Sequence, residues 1–580
     1  MASFLIRRLI WWSVALSVAG AVAASEGRPF EDSPFGEVVA TVASSGSAEG
    51  PVEGKNQVAL IGNGYDALLL RVHLIRRARS TIDVQTFIWS NDECGRLIMC
   101  ELIEAARRGV KVRIIADTLF SDQDRATAAF VATAHPNLEV KHYRPSLSRL
   151  KPSPLHTVVA SVQSFHDVNQ RMHNKVMVFD DTILVTGGRN IENTYFDHST
   201  EMNYRDRDVL AIGPVTREAA ASFEEFWSFP HAVRTRDLPD VQAVIVKGSF
   251  RRYPTRSDFD FGGFFQDLVR EAEDASVIQQ RFASRLRTVQ RARFICDQPG
   301  KTRGFFSKTA RITKELRSVL LEAKTNVTIQ TPYLVLSNPA RKVIRDLQQQ
   351  HPGLRVRISS NSFASTDNLF AYSANYRLRN RYVQDLKLEV HEFRAHPASF
   401  ASLVPHYNEI AALAKARINA GQQSRLPFLS IHAKSMVIDD RLVFVGSYNL
   451  DPRSENLNTE AGLLIEDPAI ARELRAEIEA DMRPENSWLI ARRALPLRLD
   501  AVNELVGGLL SLSPLDVWPI QNTSSFELRP GAADVPPDDP SFHAHYQEAG
   551  AFPGTEGLFT TKEILTRLYK AVGAPLTPIL

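Results

Sequence analysis

The sequence predicts an α/β protein made of two tandem α/β/α halves with mixed, largely parallel sheets. Three observations lead there. A strand–helix–strand unit occurs twice, about 245 residues apart. The run His-x-Lys-x4-Asp also occurs twice, at His173-Asn-Lys175…Asp180 and His432-Ala-Lys434…Asp439. Each run is followed at the same spacing by Gly-x-x-Asn, at Gly187-Gly188-Arg-Asn190 and Gly446-Ser447-Tyr-Asn449.

A chain of 580 residues is long for one hydrophobic core, so two or more domains are expected. The net charge of +3 gives no global signal for nucleic acid. Cys94, Cys100 and Cys296 make neither a disulfide framework nor a zinc-like spacing, and buried free thiols are favoured over a Cys94–Cys100 bridge. Residues 1–25 read as a signal peptide or membrane anchor: Arg7 and Arg8 precede an apolar run from Leu9 to Ala24 that ends in small residues. The body is therefore expected to be exported, to the bacterial periplasm or the periplasmic face of the inner membrane.

Residues 26–57 are rich in Ala, Ser, Gly, Glu and Pro and read as a flexible spacer. The first half is expected over 58–248. Asp66 to Arg79 has helical spacing, and Thr81 to Trp89 is a β-rich run. Gly95 to Arg108 is again helical, closed by Gly109, and Val110 to Ala116 is the next strand. A basic connector follows over 249–300. The second half, 301–486, repeats the unit in Val327–Tyr333, Pro339–Gln350 and Leu354–Ser359, with Gln85 and Gln330 in matching places. Residues 487–580 have no visible repeat partner. They hold an interrupted apolar stretch, Leu505 to Leu515, with the character of a bilayer-interface or core segment, and a helix-like Thr561 to Val572.

On a strand, residues two apart share a face, so His173 and Lys175 point together, as do His432 and Lys434. The Asp180-Asp181 and Asp439-Asp440 pairs fall where a two-residue hairpin turn belongs, so Asp180 and Asp439 have two candidate roles, in the turn or at the substrate. Gly188, Ser447, Asn190 and Asn449 are candidate binding positions, where backbone and amide N–H groups can approach an anion. One imidazole can attack phosphorus while the other protonates a leaving alcohol, with the lysines stabilising the developing charge. No metal-ligand spacing accompanies the motif, so no metal and no cofactor are expected. Each imidazole needs an orienting partner. Asp208 is expected to orient His173 and Glu460 to orient His432, with Asp206 as the rival of Asp208. Asn361, Ser362, Thr366 and Asp367 follow a strand end, where they can line the mouth of a cleft or form an ordinary turn. Arg377, Arg379 and Arg381 can meet lipid phosphates, but a solvated helix face is favoured.

The paired motifs resemble those of the phospholipase D superfamily. Arg171-Met-His-Asn-Lys175, Tyr204-Arg-Asp-Arg-Asp208, Asn361 to Asp367 and Tyr448 to Ser454 are similar to the bacterial cardiolipin synthase C-like group. The resemblance implies two halves packed about a pseudo-twofold axis and a phosphohistidine intermediate formed without metal. It also implies transfer of a phosphatidyl group to an alcohol or to water, with His173 as nucleophile and His432 as acid/base, an assignment the near-symmetry of the motifs leaves open. The implied partners are phospholipids (phosphatidylglycerol, phosphatidylethanolamine or cardiolipin) and a membrane surface, with no nucleic acid expected. Three stretches depart from the pattern: Asp117-Thr118, Tyr333-Leu-Val-Leu and the tail. The alternatives are a hydrolytic phospholipase D, a nuclease of the same superfamily, and a non-catalytic lipid-binding protein. The last is disfavoured because both His–Lys pairs are intact.

Overall fold

The computed structural model describes residues 27–45, 55–117, 124–144, 149–150, 170–259, 261, 265–301, 310–421, 426–494 and 522–555. The expected targeting segment, the Leu505–Leu515 stretch and the Thr561–Val572 helix lie outside the described residues. No described helix is long and apolar enough to cross a membrane.

The first half contributes β1 (Asn56–Ile61), β2 (Thr81–Thr86), β3 (Lys111–Asp117), β4 (Leu138–Tyr143), β5 (Val176–Phe179), β6 (Ile183–Gly187), β7 (Met202–Arg205), β8 (Asp208–Ile212), β9 (Ala232–Arg234) and β10 (Arg287–Val289). The second contributes β11 (Arg291–Cys296), β12 (Asn326–Gln330), β13 (Arg355–Asn361), β14 (Glu389–Phe393), β15 (Phe428–Ile431), β16 (Lys434–Ile438), β17 (Leu442–Gly446), β18 (Ala461–Glu466), β19 (Ser487–Arg492), β20 (Thr523–Leu528) and β21 (Tyr546–Gly550). They form a nine-stranded sheet in the order β10-β1-β8-β6-β5-β2-β3-β4-β9, a ten-stranded sheet in the order β11-β18-β17-β16-β12-β13-β14-β19-β20-β21 and a two-stranded sheet of β7 and β15.

The helices that connect the parallel strands follow from local sequence. Glu93–Arg107 starts at Asp92, whose side chain caps the Gly95 N–H, and Gly109 follows with φ +103°. Asn338–Gln350 is capped by Ser337 and has proline in its first turn. These βαβ crossovers make β2-β3-β4 and β12-β13-β14 parallel. The remaining neighbours in both large sheets are antiparallel, so the sheets are mixed but not largely parallel. Of the antiparallel neighbours, β5–β6 and β16–β17 are tight hairpins, and the others are brought together by longer connections.

The boundaries also differ from expectation. β10 closes the first sheet and β11 opens the second, so the halves meet near residue 290, and the second half takes in the end of the supposed connector. Phe30 and Phe35 are fully buried in the first-half core, and Gly36–Ser45 is a helix, so part of the supposed spacer is folded structure. β19 pairs with β14 as β9 pairs with β4, which gives the start of the tail a repeat partner after all. β20 and β21 then extend that edge, covering Leu489 and Ala491 with Phe526, Phe542 and Tyr546.

One core cluster belongs to both halves. Val215, Phe223 and Phe226 from the first-half helix Val215–Trp227 pack with Ile470, Leu474 and Ile478 from its counterpart Pro468–Met482 and with residues of both sheets. The halves also join through backbone. β7 runs parallel to β15, His432 N donates to Arg205 O at 2.9 Å, and His173 N donates to Thr459 O at 2.9 Å. All three cysteines are free and buried.

Phe526 is the apolar centre of the extension. Phe526→Ala is expected to destabilise the protein by about 3–5 kcal/mol, the usual cost of emptying a buried phenylalanine site. An unchanged melting temperature would show that the hairpin is not part of the cooperative fold.

Candidate active site

His173 and His432 stand at equivalent places, each just before the first strand of a β-hairpin, β5–β6 or β16–β17. Each hairpin is continuous with two further antiparallel strands, so its leading end is fixed. The register places Gly188 N on Arg207 O at 3.1 Å and Ser447 N on Ala461 O at 2.9 Å. Asp206 is therefore the counterpart of Glu460, and Asp208 is the counterpart of Gly462.

The carboxylates reach across the dyad. His173 Nδ1 lies 2.8 Å from Glu460 Oε2, and His432 Nδ1 lies 2.7 Å from Asp206 Oδ2. The expected pairing of Asp208 with His173 and Glu460 with His432 is wrong on both counts. Within the first half Asp206 and His173 are separated by two strand positions (β8-β6-β5), about 10 Å at the usual spacing, whereas the dyad brings the other half's imidazole into contact. Asp208 instead faces Arg71 at 2.9 Å and Arg189 at 3.3 Å. A gap-free alignment of Asp206–Ile212 with Glu460–Glu466 would have identified the right residue, though not the right histidine.

The carboxylates are braced. Ser447 Oγ donates to Glu460 Oε2, and Ser454 Oγ donates to Oε1 at 2.7 Å. Asp206 Oδ1 accepts the Arg207 N–H at 2.7 Å, and a Cβ on Gly188 would overlap its carboxylate. Gly188 and Ser447 thus make room for and support the acids, which differs from the substrate contact expected of them. Asn190 is likewise engaged, with Oδ1 accepting from Ile88 N at 3.2 Å and Nδ2 donating to Tyr195 OH at 2.8 Å. Of the two asparagines, Asn449 is the one whose buried Oδ1 has no hydrogen-bond partner among the described residues.

Lys175 Nζ donates to His173 O at 2.6 Å and sits 5.0 Å from the centre of the Phe87 ring. Lys434 Nζ lies 2.9 Å and 3.1 Å from the two ring nitrogens of His432. Lys434 of one half lowers the His173 imidazole of the other, so the two His–Lys pairs share one electrostatic site. Among the described residues no group of three or more His, Cys, Asp or Glu is arranged to hold a metal ion.

Asp180 and Asp439 are elsewhere. Both occupy left-handed turns, with φ of 49° and 50°, at the far ends of the hairpins, a strand's length (on the order of 15 Å) from the imidazoles. Asp180 accepts from the N–H groups of Arg79, Ser80 and Thr81 at 2.7–2.9 Å. Asp439 accepts from those of Lys324, Thr325 and Asn326 at 2.8–2.9 Å. They pin the entry of the neighbouring parallel strand, so of their two candidate roles they fill the structural one.

Several neighbours of the histidines are not among the expected site residues, although Tyr204 lies in a family-like stretch and Phe87 in the repeated strand. Phe87 stands edge-on to His173 with centroids 4.8 Å apart. Tyr195 and Tyr204 flank His432 at 5.0 Å and 4.6 Å. Phe87 directly follows β2, whereas Tyr195 and Tyr204 come from a 3-10 turn and a short strand that the His–Lys spacing does not select. Asp117 pairs with Arg171 and accepts from Met172 N at 3.0 Å, while Asn361 binds both N and O of Ile431 at 2.8 Å. Those two side chains tie the parallel strands to the chain just before each histidine.

Burial pushes both imidazoles down to about 4, toward the neutral form. Burial opposes ionisation of Asp206 and Glu460 as well, yet the facing histidine and nearby lysines hold both below the usual carboxylate range. An ionised carboxylate only accepts, so each Nδ1 carries the proton and each Nε2 presents its lone pair. Burial lowers Lys434 to about 8 and Lys175 well below its ordinary value.

Residues 72–227 and 316–482 match the family described as cardiolipin synthase, PLD-like domain. The chain belongs to this family. It is similar to cardiolipin synthase C of Escherichia coli (strain K12), 29% identical over 418 residues that cover 70% of this chain and 80% of that one. An uncharacterised protein of Helicobacter pylori (strain J99) is 30% identical over 471 residues, 79% of this chain and 85% of its own. The fold is similar to the crystal structure of phosphatidylserine synthase from Haemophilus influenzae Rd KW20, with TM-score 0.50 and 16% identity over 78% of this chain and 94% of that one. Family and fold make the chain a phospholipase D-superfamily enzyme of phosphatidyltransferase or phosphodiesterase type.

The paired sites generate two expectations. Glu460→Gln should lower turnover on the order of 10²–10⁴-fold, as loss of an orienting anion does elsewhere, whereas Asp439→Ala should cost about 1–3 kcal/mol of stability with turnover within a few-fold. Equal loss of turnover in the two variants, both folded, would undo the division of roles. The second concerns pH. An imidazole at about 4 in the folded protein and about 6.5 unfolded makes the unfolded chain take up more protons between those values, so stability falls as pH drops through that window. His73, His142, His173 and His432 all behave this way, and the melting temperature should fall steadily between pH 7 and pH 5. A midpoint that rises on acidification contradicts the neutral assignment.

Proposed function

We propose that this protein is a cardiolipin synthase-like phosphatidyltransferase that moves a phosphatidyl group between phospholipids through a phosphohistidine. The observation that carries the reading is the pair of imidazoles, each fixed through Nδ1 by a carboxylate of the opposite half and each accompanied by its own lysine. His173 Nε2 attacks phosphorus as the bond from phosphorus to the departing alcohol breaks, and His432, which must first take up a proton from solvent on Nε2 in the substrate complex, gives that proton to the departing oxygen. His432 then takes the proton of the entering alcohol as that oxygen attacks the phosphohistidine and the P–N bond breaks. Lys175 and Lys434 neutralise the phosphoryl oxygens as charge builds on them.

The assignment of His173 as nucleophile rests on an asymmetry. Its imidazole abuts the apolar Phe87, whereas His432 is surrounded by tyrosine hydroxyls suited to an alcohol-binding side. Cardiolipin synthase C of Escherichia coli supports the choice of lipid substrates. The exported location and contact with a membrane surface belong to the same proposal, on the strength of Arg7, Arg8 and the apolar run after them.

Purified protein given vesicles of phosphatidylglycerol, with and without phosphatidylethanolamine, should yield cardiolipin by mass spectrometry. Phosphatidic acid as sole product would sink the transferase reading in favour of hydrolysis. His173→Ala should abolish turnover and leave no phosphoenzyme. His432→Ala should accumulate a phosphoenzyme from a donor with a good leaving group, which needs no acid to depart.

A further inference from the structure

The repeated machinery is nearly symmetric, but its surroundings are not. Beside His432 stands a built carboxylate site; the segment after the equivalent strand of the first half lies outside the described residues. Asp367 Oδ2 accepts from Tyr204 OH at 3.0 Å and from Tyr333 OH at 2.8 Å. Among the described residues its Oδ1 has no hydrogen-bond partner, and the residue is exposed. The Tyr204 ring that holds it also packs against His432, with centroids 4.6 Å apart, so Asp367 lies one tyrosine length from the acid/base imidazole and contributes to its electrostatics.

The loop that carries Asp367 is held from two directions. Asn368 caps the helix Leu369–Asn380 through the N–H groups of Phe370 and Ala371. The C-terminal extension, which lies outside the family match, clamps that helix: Phe552 packs on Phe363 and Tyr376, and Ser525 Oγ accepts from Arg379 at 3.1 Å. A surface aspartate with two tyrosine donors, on a loop braced by a separate part of the chain, is more preorganised than turn chemistry requires.

We propose that Asp367 is the specificity-determining residue of the alcohol subsite, and that its free oxygen binds a second hydroxyl of a polyol head group. The inference rests on the transferase reading above. In that reaction the leaving alcohol takes its proton from His432, and the entering alcohol returns one to the same atom, so both alcohols occupy the same place. The attacking hydroxyl loses its proton to His432 Nε2, its oxygen bonds to phosphorus, and the bond from phosphorus to His173 breaks. A neighbouring hydroxyl of the same head group donates to Asp367 Oδ1 and is not consumed. Water offers no such second hydroxyl, so the contact favours transfer over hydrolysis.

The test uses the full-length enzyme, a fixed phospholipid donor, and two soluble acceptors, glycerol and ethanol. Asp367→Asn keeps an oxygen for the tyrosines but removes the charge. It should lower glycerol transfer relative to ethanol transfer roughly tenfold, the order expected for one hydrogen bond to a charged group, and raise the share of phosphatidic acid formed with glycerol. Tyr333→Phe should move the same ratio in the same direction by less. A merely structural role would depress both acceptors alike and leave the ratio unchanged, which overturns the proposal while the transferase reading stands. Wild-type protein that transfers to neither alcohol overturns both.

Discussion

The hydrogen bond between each imidazole and a carboxylate of the other half is the constraint on which the rest of the site depends. Neither half has an oriented histidine alone. Glu460 can serve His173 only because the chain before β5 pairs with Thr459, and Asp206 can serve His432 only because β15 lies along β7. The shared core between the helices Val215–Trp227 and Pro468–Met482 holds those backbone contacts in register. Chemistry and inter-half packing are thus one requirement, and a chain that folded as two separated domains would have two disordered imidazoles.

That constraint sorts the motif residues by distance along the hairpin. Histidine and lysine sit at the leading end, where the halves meet. Aspartate sits at the turn, where three N–H groups of the adjacent strand converge on it in both copies. The same short motif therefore contributes a reactive group at one end and a clamp on the parallel strands at the other. Duplication preserved both, while the partners around the histidines diverged. Phe87 gives one imidazole an apolar flank, and Tyr195, Tyr204 and Tyr333 give the other a hydroxyl-lined one. A symmetric pair of bases becomes a directional site through neighbours that differ between the two copies.

The C-terminal extension belongs to this asymmetry. Among the described residues it lengthens only the second sheet, and its Phe552 rests on the helix that follows Asp367. Its place at the edge of the fold explains why it can be added without disturbing the hairpins: a new antiparallel hairpin needs only one free strand edge, here that of β19.

The sequence by itself determined the duplication, the βαβ units, and the His and Lys that share a face, because these follow from local period and from spacing repeated in both copies. It also marked Asp180 and Asp439 as turn candidates, from residue type and the strands on either side. Tertiary structure decided the rest. Asp206 and not Asp208 holds an imidazole, and it holds the one in the other half, because strand register and the dyad set which side chains meet. The sheets came out mostly antiparallel because the parallel share is limited to two crossovers per half, a fact no single βαβ unit reveals. The tyrosines and the burial that keeps the histidines neutral depend on loops closing over the hairpins, which no local pattern encodes.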